Sequence, residues 1–152
     1  MGNYFSDEHN TSKYYLSEKL NGNLIKDIIY SAEFNSLNDN ILITKFILGM
    51  TYNCHGYILF KTNDDESYMC HLAGIPGDLN IIVQKDSWNK YIQATQNVEG
   101  IKRCYKTIKE FKEHFQVLMK NFGPYDSKNN NCRHFSSNVA DFLELKIKSE
   151  LF

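Results

Sequence analysis

The pattern of apolar and polar residues in the first two thirds of the chain is typical of β-strands. Residues 41–48 are mostly apolar, and residues 55–62 are apolar on both faces, as expected of a central strand. Residues 63–66 form a polar turn, after which residues 67–73 return as the partner strand of a hairpin. A further short strand is predicted over residues 79–84.

Beyond Gly100 the spacing of apolar residues becomes helical. One stripe, ended by Gly123 and Pro124, consists of Ile108, Phe111, Phe115, Leu118 and Phe122. A second helix follows the cap candidates Asn129, Asn130 and Asn131, and its apolar face consists of Cys132, Phe135, Val139, Phe142 and Leu143. Strands followed by helices predict an α+β domain in which an antiparallel sheet packs against a C-terminal helical layer.

Length and charge limit the classes of protein that fit this pattern. The 152 residues, 42% of them apolar, suffice for one globular domain, which we place at residues 13–152 behind a polar, flexible arm at residues 1–12. Seventeen Lys and Arg against 18 Asp and Glu leave a net charge of -1, which does not favour a nucleic-acid partner. The longest apolar stretch, residues 41–50, is far shorter than the roughly 20 residues of a membrane span.

The four cysteines are the first indication of chemistry. Because no apolar leader precedes them, we expect free thiols in a reducing, cytoplasmic compartment. Cys54, Cys70 and Cys104 are interpreted as small packing residues. Cys132 differs because it begins a helix, where unpaired N–H groups and the helix dipole favour a thiolate. It is the predicted nucleophile, and its own backbone N–H is a predicted oxyanion donor.

The activating base is expected on a strand, because the apolar face of its helix turns the Cys132 sulfur toward the sheet. His55 and His71 are the candidates. A four-residue hairpin loop would put these histidines on opposite faces of the sheet. A loop of three or five residues would put Tyr57 opposite His71 and both imidazoles on one face, roughly 7–8 Å apart or closer. A Cys-His-His site requires this second register.

In such a site His55 would take the proton of Cys132, and His71 would orient His55. The first product would be an acyl thioester. Metal chemistry is not expected, because adjacent residues of the dipeptides Cys54-His55 and Cys70-His71 point to opposite faces of their strands. No cofactor is predicted.

Three blocks resemble the lecithin:retinol acyltransferase-like family, which includes the small phospholipase A/acyltransferases and the viral H-box/NC proteins. Residues 131–135, Asn-Cys-Arg-His-Phe, resemble its Asn-Cys-Glu-His-Phe block. Residues 55–60 resemble its histidine strand, and residues 68–73 resemble its following Tyr-x-x-His-Leu-Ala strand. The resemblance covers roughly residues 52–145.

This resemblance implies a circularly permuted papain-like fold of the NlpC type. Cys132 then matches the nucleophile, His55 the base and His71 the third, orienting member. The implied activity belongs to lipid metabolism: a thiol acyltransferase or phospholipase-type hydrolase that acts on phospholipid or other acyl-lipid substrates through a thioester. Arg133 stands where the family commonly has an acidic residue, which reverses a charge at the edge of the site.

Two alternatives remain open at this point. The PPPDE thiol peptidases share the permuted order, and their Asn-Cys-x-x-Phe-Ser block is similar to residues 131–136. They lack an equivalent of the second histidine strand, so His71 separates the two hypotheses. The other alternative is a catalytically idle, membrane-anchored interaction protein that keeps the fold and a myristoyl anchor.

The first six residues fit an N-myristoylation signal, with Gly2 as the acceptor and Ser6 as the small hydroxyl residue. One acyl chain binds membranes weakly and reversibly, and no basic cluster follows it. A myristate on Gly2 would make this a peripherally membrane-associated lipoprotein whose second membrane contact comes from the folded surface.

Overall fold

The computed structural model describes residues 19–51, 55–75, 77–88 and 99–145. Within these ranges the elements are, in chain order, β1 (Ile25–Tyr30), α1 (Ala32–Asn35), β2 (Leu42–Met50), β3 (Gly56–Thr62), β4 (Ser67–Gly74), β5 (Leu79–Lys85), β6 (Lys102–Thr107), α2 (Ile108–Asn121) and α3 (Cys132–Leu143). The α+β class is as predicted. The predicted arm at residues 1–12 lies outside the described residues.

The six strands form one sheet in the order β1-β5-β4-β3-β2-β6. Most neighbouring strands are antiparallel, but β1 pairs with β5 in parallel. The expectation of a purely antiparallel sheet is therefore wrong. The strand responsible lies in residues 14–40, to which sequence reasoning assigned no element, and a parallel partner more than fifty residues away leaves no hairpin signal. The strand β3 is interior to the sheet, as its doubly apolar pattern predicted.

The helices α2 and α3 pack on one face of the sheet. Phe60 of β3, Phe111 and Phe115 of α2, and Phe135 of α3 belong to one buried cluster, with the Phe60 and Phe111 ring centroids 4.9 Å apart. A smaller buried cluster lies apart from it and consists of Ile47, Tyr57, Leu59, Met69 and Trp88. Because side chains alternate along a strand, β3 contributes residues to both clusters and is buried on both faces.

The hairpin between β3 and β4 has the register that a Cys-His-His site requires. The ladder joins Lys61 to Ser67 and Ile58 to Cys70, which leaves five residues in the loop and puts Tyr57 opposite His71. Asp65 takes a positive φ of 66°, a conformation that Asp tolerates better than most residues, and its N–H donates to the Thr62 carbonyl at 3.0 Å.

Both long helices begin where the sequence indicated. The side chain of Thr107 caps α2, which buries Ile108, Phe111, Phe115 and Leu118, and Phe122 follows as the C-terminal cap. Asn131 caps α3. Among the described residues no helix is long and apolar enough to cross a membrane.

Candidate active site

Cys132 is the first residue of α3, and the cap of that helix holds it in place. The Oδ1 atom of Asn131 accepts the Arg133 N–H at 2.9 Å, and Asn131 Nδ2 donates to the Ser127 carbonyl at 2.9 Å. The backbone N–H of Asn131 donates to His134 Nδ1 at 3.1 Å, which completes a capping box. His134 is therefore a capping residue.

The Cys132 sulfur faces the sheet and is almost completely buried, with 7% of the residue exposed. The backbone N–H of Gly56 donates to the sulfur. Gly56 is the first residue of β3 and directly follows His55. The thiol therefore lies next to the peptide bond between His55, the predicted base, and Gly56. The ladder between β3 and β4 ends at Ile58, and the sulfur lies just beyond that end.

Burial raises the pKa of the Cys132 thiol above its ordinary value. The N–H of Gly56, the charge of Arg133 and the N–H groups of Cys132 and Arg133 lower this pKa, but by less than burial raises it. The helix start thus acts in the predicted direction, but burial has the larger effect on this pKa. A protonated thiol needs a base at the moment of attack.

His55 and His71 are in direct contact, and both are buried, with 2% of each residue exposed. His55 Nε2 lies 2.8 Å from His71 Nδ1, and the two rings are nearly perpendicular, with centroids 5.0 Å apart. The contact is much closer than the separation of Cα positions on diagonal strand neighbours because both imidazoles turn toward each other. The structure therefore joins the two predicted histidines into one pair.

Gly56 lets the helix approach the strand closely. A Cβ at this position would lie 3.1 Å from the Cα of Arg133, 3.2 Å from the Cys132 carbonyl oxygen and 3.2 Å from Ser136 Oγ. Two of these three atoms belong to the main chain and cannot turn aside. The absence of a side chain at Gly56 is thus a condition for the contact between the sulfur and β3.

Sequence reasoning missed two neighbours of the site, Tyr125 and Ser136. Tyr125 is buried, and burial raises the pKa of its phenol. The nearby Cys132 raises this pKa further. Ser136 lies one turn after Cys132 and, with Arg133, lines a cleft beside the site. The spacing of four residues between Cys132 and Ser136 on one helix face was the available signal for Ser136.

The other predicted residues separate into two groups. Cys70 and Cys104 are free and buried, as expected of packing residues, and burial raises the pKa of both thiols. Gly2 and Cys54 lie outside the described residues. Within the described ranges no group of three or more His, Cys, Asp or Glu side chains could hold a metal ion.

No family model, no curated protein sequence and no solved structure gives a significant match to this chain. The arguments about function therefore depend on the three sequence blocks and on the geometry of the residues themselves.

Proposed function

We propose that this protein is a cysteine-dependent acyltransferase or phospholipase-type hydrolase that acts on lipid acyl groups. Cys132 is the nucleophile, His55 the general base and His71 the residue that orients His55. One observation carries the proposal: two buried histidines lie 2.8 Å apart, and the residue after the first donates its N–H to a buried thiol at a helix start. The order of histidine strands before the nucleophile helix supports a permuted papain-like fold of the NlpC type.

The first half of the reaction forms a thioester. His55 takes the Cys132 proton while the sulfur attacks the carbonyl carbon of an ester. The carbonyl oxygen becomes an oxyanion, and the Cys132 N–H at the start of α3 is placed to donate to it. The bond to the leaving alcohol then breaks, and the alkoxide takes the proton from His55. The acyl group remains on the sulfur.

The second half releases the acyl group. Water, or the hydroxyl or amine of an acceptor, gives a proton to His55 and attacks the thioester carbonyl. The sulfur leaves as a thiolate and recovers the proton from His55. Burial raises the pKa of the Cys132 thiol, which favours this return to the neutral form.

The contact with His71 provides one ring nitrogen of His55 with a partner and leaves the other for the thiol. If Nε2 of His55 carries a proton and donates it to Nδ1 of His71, then Nδ1 of His55 is free to accept the proton of the thiol. The same contact favours the acyl-lipid hypothesis over the PPPDE-type peptidase, because that class has no counterpart of the second histidine strand.

We also propose that the protein works at the cytoplasmic face of a membrane, peripherally attached through a myristate on Gly2. The acyl-lipid substrate supports this placement. Co-expression with an N-myristoyltransferase should add one myristoyl mass, lost in Gly2→Ala, and the acylated protein should sediment with vesicles more than the variant does.

Intact-mass spectrometry after incubation with phospholipid vesicles tests the enzymatic proposal. We expect a mass increase of one acyl group, absent in Cys132→Ala and retained in the control Cys104→Ala, whose thiol is also buried. No adduct and no free fatty acid, together with cleavage of a ubiquitin-like conjugate that needs Cys132, would favour the peptidase. Absence of the acyl adduct, of free fatty acid and of conjugate cleavage would favour the catalytically idle interaction protein.

A further inference from the structure

A cleft of about 230 Å³ opens beside the first turn of α3. Its lining includes Leu48, Met50, Gly56, Glu99, Arg133 and Ser136. Pockets that enclose a whole small molecule usually measure 300–1,000 Å³, so this cleft accommodates a fragment the size of a headgroup. It borders Gly56, whose N–H contacts the Cys132 sulfur, so the cleft lies next to the candidate nucleophile.

The charges around the cleft favour an anion. Arg133 is exposed, and among the described residues no carboxylate lies within ion-pair distance of its guanidinium. Glu99 lines the same cleft, and its carboxylate lies 3.5 Å from the Lys102 ammonium, which also binds Glu144 at 3.2 Å. The start of α3 adds the positive end of the helix dipole. A cationic group in the cleft would lie next to the Arg133 guanidinium and the positive end of the helix dipole, both of which repel it.

Ser136 provides an independent indication of a ligand. The residue is fully buried and lines the cleft, and its Oγ has no hydrogen-bond partner within the described part of the chain. A buried hydroxyl without a partner costs free energy, and such groups are rare in folded proteins. A ligand oxygen bound at this position would accept its proton and remove that cost.

We propose that the cleft binds a phosphate of the acyl substrate through Arg133 and Ser136, and that it selects anionic over zwitterionic headgroups. This inference rests on the proposed acyl-transfer function and names its substrate class. The guanidinium provides charge-assisted hydrogen bonds to phosphate oxygens, and Ser136 provides one more donor. A choline headgroup would place its quaternary ammonium near Arg133 and the helix start, which repel it.

Calorimetric binding to the full-length Cys132→Ala protein tests the inference without turnover. The probes are octanoyl-glycerol phosphate and octanoyl-glycerol phosphocholine. We expect the phosphate probe to bind at least about tenfold more tightly, and Arg133→Gln to abolish that preference. Arg103→Gln is the matched control, because Arg103 is the other arginine of the chain and lies exposed on β6. Ser136→Ala should weaken binding of the phosphate probe severalfold while the melting temperature stays equal or rises.

Several results would overturn the inference. Equal affinity for the two probes, or a preference that survives Arg133→Gln, removes the anion selectivity. Unchanged affinity in Ser136→Ala removes the role of that hydroxyl. Glycerol 3-phosphate that binds as tightly as the acylated probe would make this a site for soluble phosphates. If the wild-type protein turns over both probes equally well, the headgroup inference is wrong but the proposed function stands. If binding of the phosphate probe depends on Arg133 but neither probe is turned over, the proposed function is wrong but the anion site stands.

Discussion

The Nε2 atom of His55 lies 2.8 Å from the Nδ1 atom of His71, although the two residues are sixteen positions apart in the chain. Their contact depends on the hairpin that joins β3 and β4. A shift of one residue in the pairing of Ile58 with Cys70 would move one imidazole to the other face of the sheet. The histidine pair is therefore a consequence of the hairpin register.

Removing the His71 imidazole should impair catalysis and leave substrate binding nearly intact, because His71 acts through His55. We expect His71→Ala to lower kcat at least about tenfold with little change in KM. His71→Asn should recover part of the loss, since its amide oxygen can accept the His55 proton. Steady-state hydrolysis of a short-chain phospholipid measures both constants. Wild-type kcat in His71→Ala would contradict the proposed role of His71 in orienting His55.

The pH dependence of Cys132 alkylation reports the protonation state of its thiol. Burial raises the pKa of this thiol above its ordinary value, so the fraction present as thiolate grows with pH throughout the neutral range. We expect the rate of iodoacetamide modification to rise about tenfold per pH unit between pH 6.5 and 8.5. Peptide mapping by mass spectrometry assigns the modification to Cys132. A rate that stays constant below pH 7 would instead indicate a thiolate–imidazolium pair at rest.

A side chain at Gly56 should push the nucleophile helix away from β3. The Cβ of Gly56→Ala would lie 3.1 Å from the Cα of Arg133 and 3.2 Å from the Cys132 carbonyl oxygen. We expect a loss of about 1–3 kcal/mol in the free energy of unfolding and at least about tenfold in activity.

The double variant Gly56→Ala/Ser136→Ala is the control for this prediction. It removes the close contact with Ser136 Oγ but retains the two contacts with the main chain. It should therefore not recover the lost free energy of unfolding. Full activity in Gly56→Ala would show that the close approach of α3 is dispensable.

The stability of the protein should fall in alkaline solution. Burial raises the pKa of the Cys104 thiol to about 11, whereas in the unfolded chain the thiol ionises at its ordinary, lower pKa. As the pH rises between these two values the unfolded state binds fewer protons than the folded state, so the free energy of unfolding decreases. Cys70, whose pKa burial raises further, acts in the same direction.

Urea unfolding at pH 8 and pH 10.5, in the presence of a reductant, measures this effect. Between these pH values Cys104→Ala should lose less stability than the wild-type protein, by about 2 kcal/mol. An equal loss in both proteins would contradict the assignment to Cys104.

Local sequence signals were sufficient for much of the fold. The apolar spacing from Ile108 to Leu118 indicated α2, and Asn131 before Cys132 indicated the start of α3. These predictions succeeded because helix periodicity and capping depend on residues within a few positions of one another. The edge strand β6 was missed because most of its side chains are polar or charged, a composition that suits an edge and hides the strand pattern.

For the candidate site, the sequence determined the chemical groups: one cysteine at a helix start, a histidine directly before β3 and a second histidine on β4. It left two registers open, and the tertiary structure decided between them through the five-residue loop that contains Asp65. Tertiary structure also decided the parallel placement of β1 beside β5, because that pairing joins segments distant in the chain.

The protonation of Cys132 was likewise a matter of tertiary structure. The sequence placed the thiol at the positive end of a helix, but its pKa depends on how deeply the folded chain buries it, and burial has the larger effect. The cleft beside Arg133 and Ser136 has the same origin, since a concave surface exists only where β2, β3 and α3 meet. Residue type and spacing are local properties, whereas desolvation and shape arise from segments that only folding brings together.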